Sequence, residues 1–288
     1  MLGSASWAAT IQALCSSRVI TNMRVREAME AVDRVHYCQQ FAIGCYDDNP
    51  LPIGWGITIS APHMHARALE ELNEKLKPGA TALDVGSGSG FLSVAMALMV
   101  GDTGKVVGID HIDELVEWSR SNVRRDGKQA LVDNGQLELH VHDGFKGYPE
   151  QGPYDAIHVG AAPETIPEAL KQQLKPGGVL LLPVGPTGGA QEFVRVQRGV
   201  DNPSQFAQKS LFGVRYVPLT VRSSRTRVRH CSAHLTDSCI RFTLSHRRLR
   251  SSSIATNKHE MWNIFYVACM CERHRRAPPK QGGDSETA

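Results

Sequence analysis

The sequence predicts an α/β fold with a mostly parallel, doubly wound sheet and an antiparallel edge. Short apolar strands alternate with helices between residues 81 and 184, which is typical of parallel sheets. A glycine-rich loop at residues 84–90 follows the first of these strands, as in nucleotide-binding folds. Two later segments, 193–197 and 211–218, have the composition of a strand hairpin and predict the antiparallel edge.

The N-terminal region precedes this alternation. Residues 4–40 carry apolar side chains at helical spacing, which predicts a helical cap packed on the sheet. The periodicity stops over residues 41–56, where turn formers predict an irregular segment. Ser60 then stands before Pro62, where a helix N-cap would lie. Two interpretations of Ser60 stay open: its hydroxyl caps the helix, or it faces a ligand near the glycine loop.

The glycine-rich loop joins a buried strand, Thr81–Leu83, to a buried helix, Phe91–Val100. Gly86 and Gly88 permit positive φ angles and the close approach of a ligand, which a Cβ would block. The free N–H groups at the start of the helix point back into the loop. Because the spacing is GxGxG and not GxGxxG, the loop does not favour a dinucleotide.

Two acidic residues follow later strand ends. Asp110 ends the second strand, 105–110, where a carboxylate can accept hydrogen bonds from both ribose hydroxyls. The alternative is that Asp110 caps the helix at 112–125. Asp143 follows the strand at 137–141 on the same edge, where an adenine amino group would be in reach. The loop and Asp110 together favour a ligand that contains a nucleoside.

The remaining elements repeat the pattern. A fourth strand is predicted at 154–160 and a helix at 166–174. Lys175–Gly178 has the composition of a turn, and a fully apolar fifth strand follows at 179–184.

Length and composition limit the classes of protein. The 288 residues, of which 41% are hydrophobic, suffice for one large α/β domain with additional material. No apolar run is long enough to cross a bilayer, and no secretory signal is expected at the N-terminus. The seven cysteines form neither a paired framework nor zinc spacing, so we expect a reduced, cytosolic protein without a metal site.

The net charge of +3 conceals a difference between two parts of the chain. Residues 221–288 contain 13 basic and 5 acidic side chains, whereas residues 1–220 contain 19 and 24. We therefore expect a boundary near Thr220, followed by a basic, Ser/Arg-rich and largely disordered tail with at most one short helix. Arginine runs contact phosphate, so a nucleic-acid-binding tail is an alternative, but we expect no nucleic-acid partner.

Seven strings carry a resemblance to a known family: TISAPHMH (58–65), ALDVGSGSG (82–90), GKVVGIDH (104–111), PYDAIHVGA (153–161), LKPGG (174–178), LPVG (182–185) and YVPLT (216–220). Over roughly residues 8–220 the chain resembles the protein-L-isoaspartate (D-aspartate) O-methyltransferases. TISAPHMH is specific to this family, whereas the glycine loop and LKPGG occur in many methyltransferases.

The resemblance implies a Rossmann-like, S-adenosyl-L-methionine-dependent methyltransferase domain over residues 1–220. Such enzymes methylate the free carboxyl group of L-isoaspartyl and D-aspartyl residues in damaged proteins, and the ester then collapses to a succinimide. The implied partners are isoaspartyl-containing peptides and proteins, and the implied state is a cytosolic monomer. Because the substrate carboxylate is ionised at pH 7, no strong general base is required.

The resemblance also implies roles for individual residues. Ser60 matches the active-site position, where its hydroxyl would orient the substrate carboxylate and would not attack. The expected cofactor-binding residues, including those of the glycine loop, are Ile57, Thr58, Ile59, Ser60, His65, Asp84, Gly86, Ser87, Gly88, Ser89, Asp110, His111, Asp143, Gly144 and Thr220.

Two departures from the family pattern bear on activity. His142 stands before Asp143 where the family usually has Gly, and a side chain there would crowd the adenine end of the site. The basic tail replaces a short polar segment that contains Trp. The alternative function is therefore a weakened relative that acts as a cofactor-binding or interaction module through its tail. A nucleic-acid methyltransferase has less support, because Gly160–Pro163 replaces the Asn/Asp-Pro-Pro-aromatic motif expected after the fourth strand.

Overall fold

The computed structural model describes residues 6–39 and 43–220, and the expectations for the tail, 221–288, lie outside them. The N-terminal region forms two helices, α1 (Trp7–Ser16) and α2 (Met23–Ala31), followed by a 3₁₀ turn at Arg34–Tyr37. Side chains cap both helices: Ser6 accepts from the N–H of Ala9 and Asn22 from the N–H of Arg24. The helices predicted for residues 4–40 are confirmed.

The rest of the chain alternates strands with helices. Its elements are β1 (Leu51–Gly54), β2 (Ile57–Ile59), α3 (Pro62–Leu72), β3 (Thr81–Val85), α4 (Phe91–Val100), β4 (Lys105–Asp110), α5 (Asp113–Arg125), α6 (Gln129–Asp133), β5 (Leu137–Val141), a 3₁₀ turn (Pro149–Gln151), β6 (Tyr154–Val159), α7 (Glu168–Gln172), β7 (Leu174–Val184), β8 (Gln191–Arg198) and β9 (Phe206–Val214).

Seven strands form one sheet in the order β5-β4-β3-β6-β7-β8-β9. The first five strands in this order are parallel, and β8 and β9 add an antiparallel edge, which confirms the predicted fold class. The chain runs outward from β3 to β5 and then returns to place β6 beside β3. The strand order therefore reverses between β3 and β6, and ligands of open α/β sheets bind at the carboxyl ends of such strands.

Alternate residues of each strand build two apolar cores, one on either face of the sheet. Ala82 faces the larger core, which also holds the buried residues of the helices α1–α6. Leu83 and Val85 face the smaller core, which holds Leu170 of α7. Helix α4 lies between the sheet and α2 and is almost entirely buried, which explains why its sequence is apolar all round.

Three predictions of local structure were wrong. Residues 41–56 are not irregular throughout, because β1 pairs with β2 in an antiparallel ribbon whose turn holds Trp55 at a φ of 51°. Lys175–Gly178 is not a separate turn but part of β7, which accommodates it by a register shift against β6 and a φ of 76° at Gly177. The last strand spans Phe206–Val214 and not residues 211–218.

The cysteines correct another expectation. Cys38 and Cys45 form a disulfide, with their Cα atoms 6.4 Å apart, although their sequence spacing gave no sign of a pair. The chain leaves the 3₁₀ turn at Cys38 and returns beside it at Cys45, where the main-chain carbonyl accepts from Nε of Arg34 at 2.9 Å. Cys15 is a free thiol, and the other cysteines of the sequence lie in the tail.

Within residues 6–39 and 43–220, no helix has the length and apolar character needed to span a membrane. The same residues contain no group of three or more His, Cys, Asp or Glu side chains that could hold a metal ion.

We predict that Gly108→Ala destabilises the fold. A Cβ on Gly108 would lie 2.7 Å from Cδ2 of Leu139 and 3.1 Å from Cβ of Ser87, so the buried side chain of Leu139 must move and Ser87 must give way slightly. Overpacking of this kind costs about 1–3 kcal/mol in the free energy of unfolding, measured by urea denaturation. Gly213→Ala is the matched control, because its Cβ would come no closer than 3.9 Å to its surroundings. Equal stability of the two variants would contradict the prediction.

Candidate functional site

The glycine-rich loop turns sharply at the carboxyl end of β3. Gly86 and Gly88 have φ angles of 71° and 53°, which L-residues with a Cβ rarely adopt. The N–H groups of Gly86 and Ser87 both donate to the carbonyl of Ile109, at 2.8 and 3.0 Å, and so fasten the loop to β4. Helix α4 begins beyond the loop without a side-chain cap, so its first N–H groups face the loop.

Gly160, which directly follows β6, packs against this loop. Its N–H donates to the carbonyl of Val85 at 2.8 Å, and a Cβ on Gly160 would lie 2.9 Å from the carbonyl oxygen of Gly86. The ends of β3 and β6 therefore approach each other through backbone alone, at the point where the strand order reverses.

Asp110 lies beside the loop and is buried. Its Oδ2 accepts from the N–H of Gly88 at 3.2 Å, and its Oδ1 accepts from the N–H of Ile112 at 3.3 Å. Nδ1 of His111 lies 3.3 Å from the same Oδ1. The N-cap of α5 is Ile112, and no side chain caps the helix, so the capping interpretation of Asp110 was wrong. Both carboxylate oxygens retain lone pairs, so Asp110 can still accept from two ligand hydroxyls.

The segment that follows β9 crosses the carboxyl edge of the sheet. Ala162 donates to the carbonyl of Val217 at 2.8 Å and accepts from the N–H of Leu219 at 2.9 Å. These bonds bring the hydroxyl of Thr220 to 3.3 Å from Nε2 of His111. Two residues that the resemblance assigned to one site, 109 positions apart in the sequence, are therefore neighbours.

The end of β5 completes the edge. Oδ1 of Asp143 accepts from the N–H of Phe145 at 3.0 Å, which forms a tight turn. A Cβ on Gly144 would lie 2.9 Å from Cγ1 of Val85 and 3.0 Å from Cδ1 of Leu219, so only glycine lets these elements meet.

His142 precedes this turn. Its main-chain N–H donates to the carbonyl of Asp110 at 2.9 Å, and its ring stands edge-on against Tyr148, with the centroids 5.2 Å apart. Its Nδ1 is buried and has no hydrogen-bond partner within the protein. The structure therefore directs the ring toward Tyr148.

Asp84 supports the loop from the strand below it. Its Oδ2 accepts from the hydroxyl of Ser93 at 2.5 Å, and its Oδ1 pairs with Nδ1 of His158 at 2.8 Å. Only 1% of Asp84 is exposed. Asp84 therefore links β3 to α4 and β6. Ser89 is similarly buried, and its hydroxyl accepts from the N–H of Phe91 at 3.4 Å.

The ribbon β1–β2 and the start of α3 form the other wall of the site. A Cβ on Gly88 would lie 3.7 Å from Cδ1 of Ile53, so β1 rests on the glycine loop. Strand β2 holds three predicted site residues, Ile57, Thr58 and Ile59, of which the last is buried in the core.

Ser60 connects β2 to α3 and stays partly exposed. The N-cap of α3 is Ala61, and no side chain caps the helix, so the capping interpretation of Ser60 was wrong. Burial raises the pKa of Tyr216, a residue of the segment that follows β9, to about 12, and Ser60 acts in the opposite direction.

His65 lies one turn into α3, stacked on Phe91 with the ring centroids 4.7 Å apart. It is 7% exposed, and its buried Nδ1 has no hydrogen-bond partner within the protein. Burial lowers the pKa of His65 well below its ordinary value, and the positive charge of Arg34 acts in the same direction. His65 is therefore a neutral imidazole at pH 7 with one ring nitrogen free for a ligand.

The loop at residues 45–49 supports this wall, although no sequence pattern indicated its role. Arg34 is fully buried and donates to the carbonyls of Cys45 and Asn49, at 2.9 and 3.2 Å. Burial lowers the pKa of Arg34 to about 10, so it stays charged at pH 7. Oδ1 of Asp48 lies 2.9 Å from both the main-chain N and Nδ1 of His63, which fastens the loop to the start of α3.

Two opposing effects act on the pKa of Asp48. Burial raises the pKa of its carboxyl group, but the hydrogen bonds from His63 outweigh burial and hold the pKa below its ordinary value. Arg34, Asp48, His158 and Tyr216 are the supporting residues that the sequence analysis did not identify. Two of the quoted strings contain members of this set without assigning them a role: PYDAIHVGA contains His158, and YVPLT contains Tyr216.

Known proteins resemble this chain over the same residues. Residues 5–224 match the family model of the protein-L-isoaspartate(D-aspartate) O-methyltransferases. A protein-L-isoaspartate O-methyltransferase of Triticum aestivum is 46% identical over 217 residues, which cover 75% of this chain and 92% of the relative. A Caenorhabditis elegans enzyme of the same name is 43% identical over 215 residues, with 75% and 92% covered.

A solved structure is also similar. It is a Plasmodium falciparum protein, assigned as a protein-L-isoaspartate O-methyltransferase, in complex with S-adenosyl-L-homocysteine. It superimposes with a TM-score of 0.67 at 32% identity and covers 75% of this chain and 98% of its own.

We predict that His65 makes the stability of the fold depend on pH. The folded state holds a neutral imidazole, whereas the unfolded chain takes up a proton as the pH falls below about 6.5. The unfolded state then binds more protons, so the free energy of unfolding declines between pH 7 and pH 5.5. His65→Gln should give a shallower decline in urea denaturation over that interval. An unchanged slope would show that His65 is not held neutral.

Proposed function

This chain belongs to the protein-L-isoaspartate(D-aspartate) O-methyltransferase family. On that premise we propose that it transfers a methyl group from S-adenosyl-L-methionine to the free carboxyl group of L-isoaspartyl and D-aspartyl residues in damaged proteins, which initiates their repair. One observation carries the proposal: the N–H of Gly88 donates to Asp110, and a Cβ on Gly88 would lie 3.7 Å from Ile53, so the glycine loop lies between the acid proposed to bind ribose and the wall that presents Ser60.

The residues at the sheet edge fit the cofactor. Neither Gly86 nor Gly88 has a Cβ to block a ligand, and Asp110 keeps lone pairs for two ribose hydroxyls. We propose that Asp143 meets the adenine amino group and that His65 offers Nδ1 at the other wall. The further contacts proposed for the cofactor are Ile57, Thr58, Ile59, Ser60, Ser87, Ser89, His111, Gly144 and Thr220.

Asp84 takes a different role in this proposal. Because both of its oxygens already bind Ser93 and His158, we propose that it supports the cofactor loop and does not itself contact the cofactor.

When bound, S-adenosyl-L-methionine supplies a methyl group on a positively charged sulfur, which the substrate carboxylate takes by in-line displacement. The carboxylate is ionised at pH 7, so the protein does not need to remove a proton. The task of the protein is to hold the reacting atoms about 3–3.5 Å apart and to exclude water. We propose that the hydroxyl of Ser60 orients the carboxylate by a hydrogen bond.

We further propose a cytosolic monomer whose catalytic domain ends near Thr220. The edge strand β9 exposes the polar residues Gln208, Lys209 and Ser210, and a polar edge resists pairing with a second copy. The family match ends at residue 224, close to the change in charge. Because disulfides are rare in the cytosol, cell fractionation with alkylation of free thiols tests the location, and Cys38 and Cys45 should be reduced if the protein is cytosolic.

We predict that the full chain methylates a peptide with one isoaspartyl residue and leaves the same peptide with ordinary aspartate unmodified. The assay measures transfer of a radiolabelled methyl group, with RNA as a third acceptor. Cofactor binding without transfer to any acceptor would instead favour the weakened relative that acts as an interaction module. Methylated RNA would favour a nucleic-acid methyltransferase.

We predict that Asp110→Asn weakens cofactor binding. The amide has one oxygen acceptor, so it keeps only one of the main-chain bonds from Gly88 and Ile112, and it loses the charge that strengthens hydrogen bonds from the ribose. Hydrogen bonds to charged groups contribute about 1.5–3 kcal/mol against about 0.5–1.5 for neutral ones, so the Kd should rise about tenfold to a hundredfold in calorimetry. Asp102→Asn makes the same change of charge at an exposed turn and is the control. Equal dissociation constants for both variants would refute the ribose role.

A further inference from the structure

The turn of the ribbon β1–β2 contains a tryptophan in a conformation that this residue rarely adopts. The turn consists of Trp55 and Gly56, because the residues on either side of them pair with each other. Their φ angles are 51° and 71°. A two-residue hairpin turn with positive φ at both positions favours Asn-Gly or Gly-Gly, and positive φ is an outlier for a bulky side chain. The ribbon therefore carries backbone strain at its tip, where an indole ring is placed.

The ring of Trp55 contacts Trp118 of α5. The two ring centroids are 6.0 Å apart, and the ring planes are inclined at 49°. Trp118 borders the buried stripe of α5, which includes Leu115 and Asn122, and both tryptophans stay partly exposed. Aromatic rings at this distance attract each other beyond the effect of their buried area. The contact therefore offsets part of the strain at the turn and joins the tip of the ribbon to α5.

The ribbon and α5 also pack against the glycine loop. On the ribbon, Cδ1 of Ile53 would lie 3.7 Å from a Cβ on Gly88. On α5, Nδ2 of Asn122 donates to the carbonyl of Ser89 at 3.0 Å. Because the two tryptophans connect the ribbon to α5 directly, the loop, the ribbon and α5 form a closed ring of contacts.

The ribbon extends between the two ends of the proposed cofactor site. At one end of β2 stands Ser60, the residue proposed to orient the substrate, and at the other end is the turn with Trp55. Helix α5 begins just after Asp110, the acid proposed to bind the ribose. A cofactor that reaches from Asp110 to Ser60 across the glycine loop therefore lies along the ribbon.

We infer that Trp55 and Trp118 form a clasp that holds the ribbon over the bound cofactor, so that both are positioning residues that slow its release. This inference rests on the function proposed above. The tip of the ribbon cannot move away from the glycine loop unless the two rings separate. The strain at Trp55 acts in the opposite direction, because opening lets the residue leave the left-handed region. The clasp can therefore still open between turnovers.

The central test is Trp118→Leu, which keeps an apolar side chain on α5 and removes the ring. We expect the dissociation rate constant of S-adenosyl-L-homocysteine, measured by surface plasmon resonance on the immobilised full chain, to rise about threefold to tenfold, as loss of one aromatic pair implies. An unchanged rate constant, in a preparation whose parent chain binds the ligand, overturns the clasp and leaves the proposed function standing.

A matched control removes a ring from another aromatic pair. Phe193 and Phe212 have their ring centroids 5.4 Å apart and their planes inclined at 39°, and they lie on the antiparallel edge of the sheet. Phe212→Leu should leave the dissociation rate constant unchanged. An equal acceleration in both variants would show that any lost aromatic pair loosens the site, and it would refute a specific clasp.

A second variant separates the clasp from a residue that only stabilises the turn. Trp55→Asn gives the turn an Asn-Gly sequence, which suits positive φ, and removes the ring. The melting temperature should stay within about 3 °C of the parent, while release of S-adenosyl-L-homocysteine accelerates about as much as in Trp118→Leu. Unchanged release would assign Trp55 to the turn alone. Faster release with a larger fall in melting temperature would indicate a weakened ribbon, and either result overturns the inference.

A double-mutant cycle tests whether the two rings act as one clasp. The double variant Trp55→Asn/Trp118→Leu should release the ligand about as fast as either single variant, because each substitution alone already breaks the contact. Rate increases that multiply in the double variant would assign the rings to separate events and contradict the clasp.

Hydrogen exchange on the unaltered protein covers the case in which the variants do not fold. Saturation with S-adenosyl-L-homocysteine should slow amide exchange over residues 51–59 at least about tenfold, because the ribbon then opens only when the ligand leaves. Exchange over residues 206–214, on β9, is the internal reference. If binding leaves exchange over residues 51–59 unchanged, the clasp is wrong. If the parent chain does not bind the ligand at all, the proposed function and the clasp fail together.

Discussion

The contact between the glycine loop and Gly160 is the constraint on which the site depends. At this point β3 and β6 end side by side, and the carbonyl of Gly86 occupies the space that a side chain at residue 160 would need. The close approach of Gly86 and Gly160 lies where the strand order reverses. This is the place where an open α/β sheet binds its ligand. Below it, Asp84 binds Ser93 and His158 and so holds α4 and β6 at a fixed distance from β3.

The N-terminal layer supports the site and does not only cover the sheet. Arg34 is buried in this layer, where it binds the carbonyls of the loop at 45–49. Asp48, from the same loop, binds the start of α3 through His63. The start of α3 therefore has a fixed position, and Ser60 is set directly before it. A buried arginine far from the sheet edge in sequence thus helps to position the hydroxyl proposed to orient the substrate.

Much of the fold could be predicted from local patterns. The strands β4 and β5 and the helix α4 begin and end where the sequence predicted, because β4 and α4 are largely apolar runs and β5 alternates apolar and polar residues. The ribbon β1–β2 was missed because its strands have only four and three residues, too short for a periodic signal. Lys175–Gly178 was misassigned because a Pro-Gly-Gly sequence predicts a turn, whereas β7 absorbs it with a change of register.

The sequence by itself determined the fold class, the nucleotide-binding character of the glycine loop and the acid that follows the second strand. These features depend on the spacing of residues within a single strand, turn or helix, which is visible in the sequence itself. Only the tertiary structure decided that Ala162 pairs with Val217, that Asp84 holds His158 and that Cys38 pairs with Cys45. Such partners are set by the order of strands in the sheet and by the packing of its layers, and neither leaves a periodic trace in the residues between them.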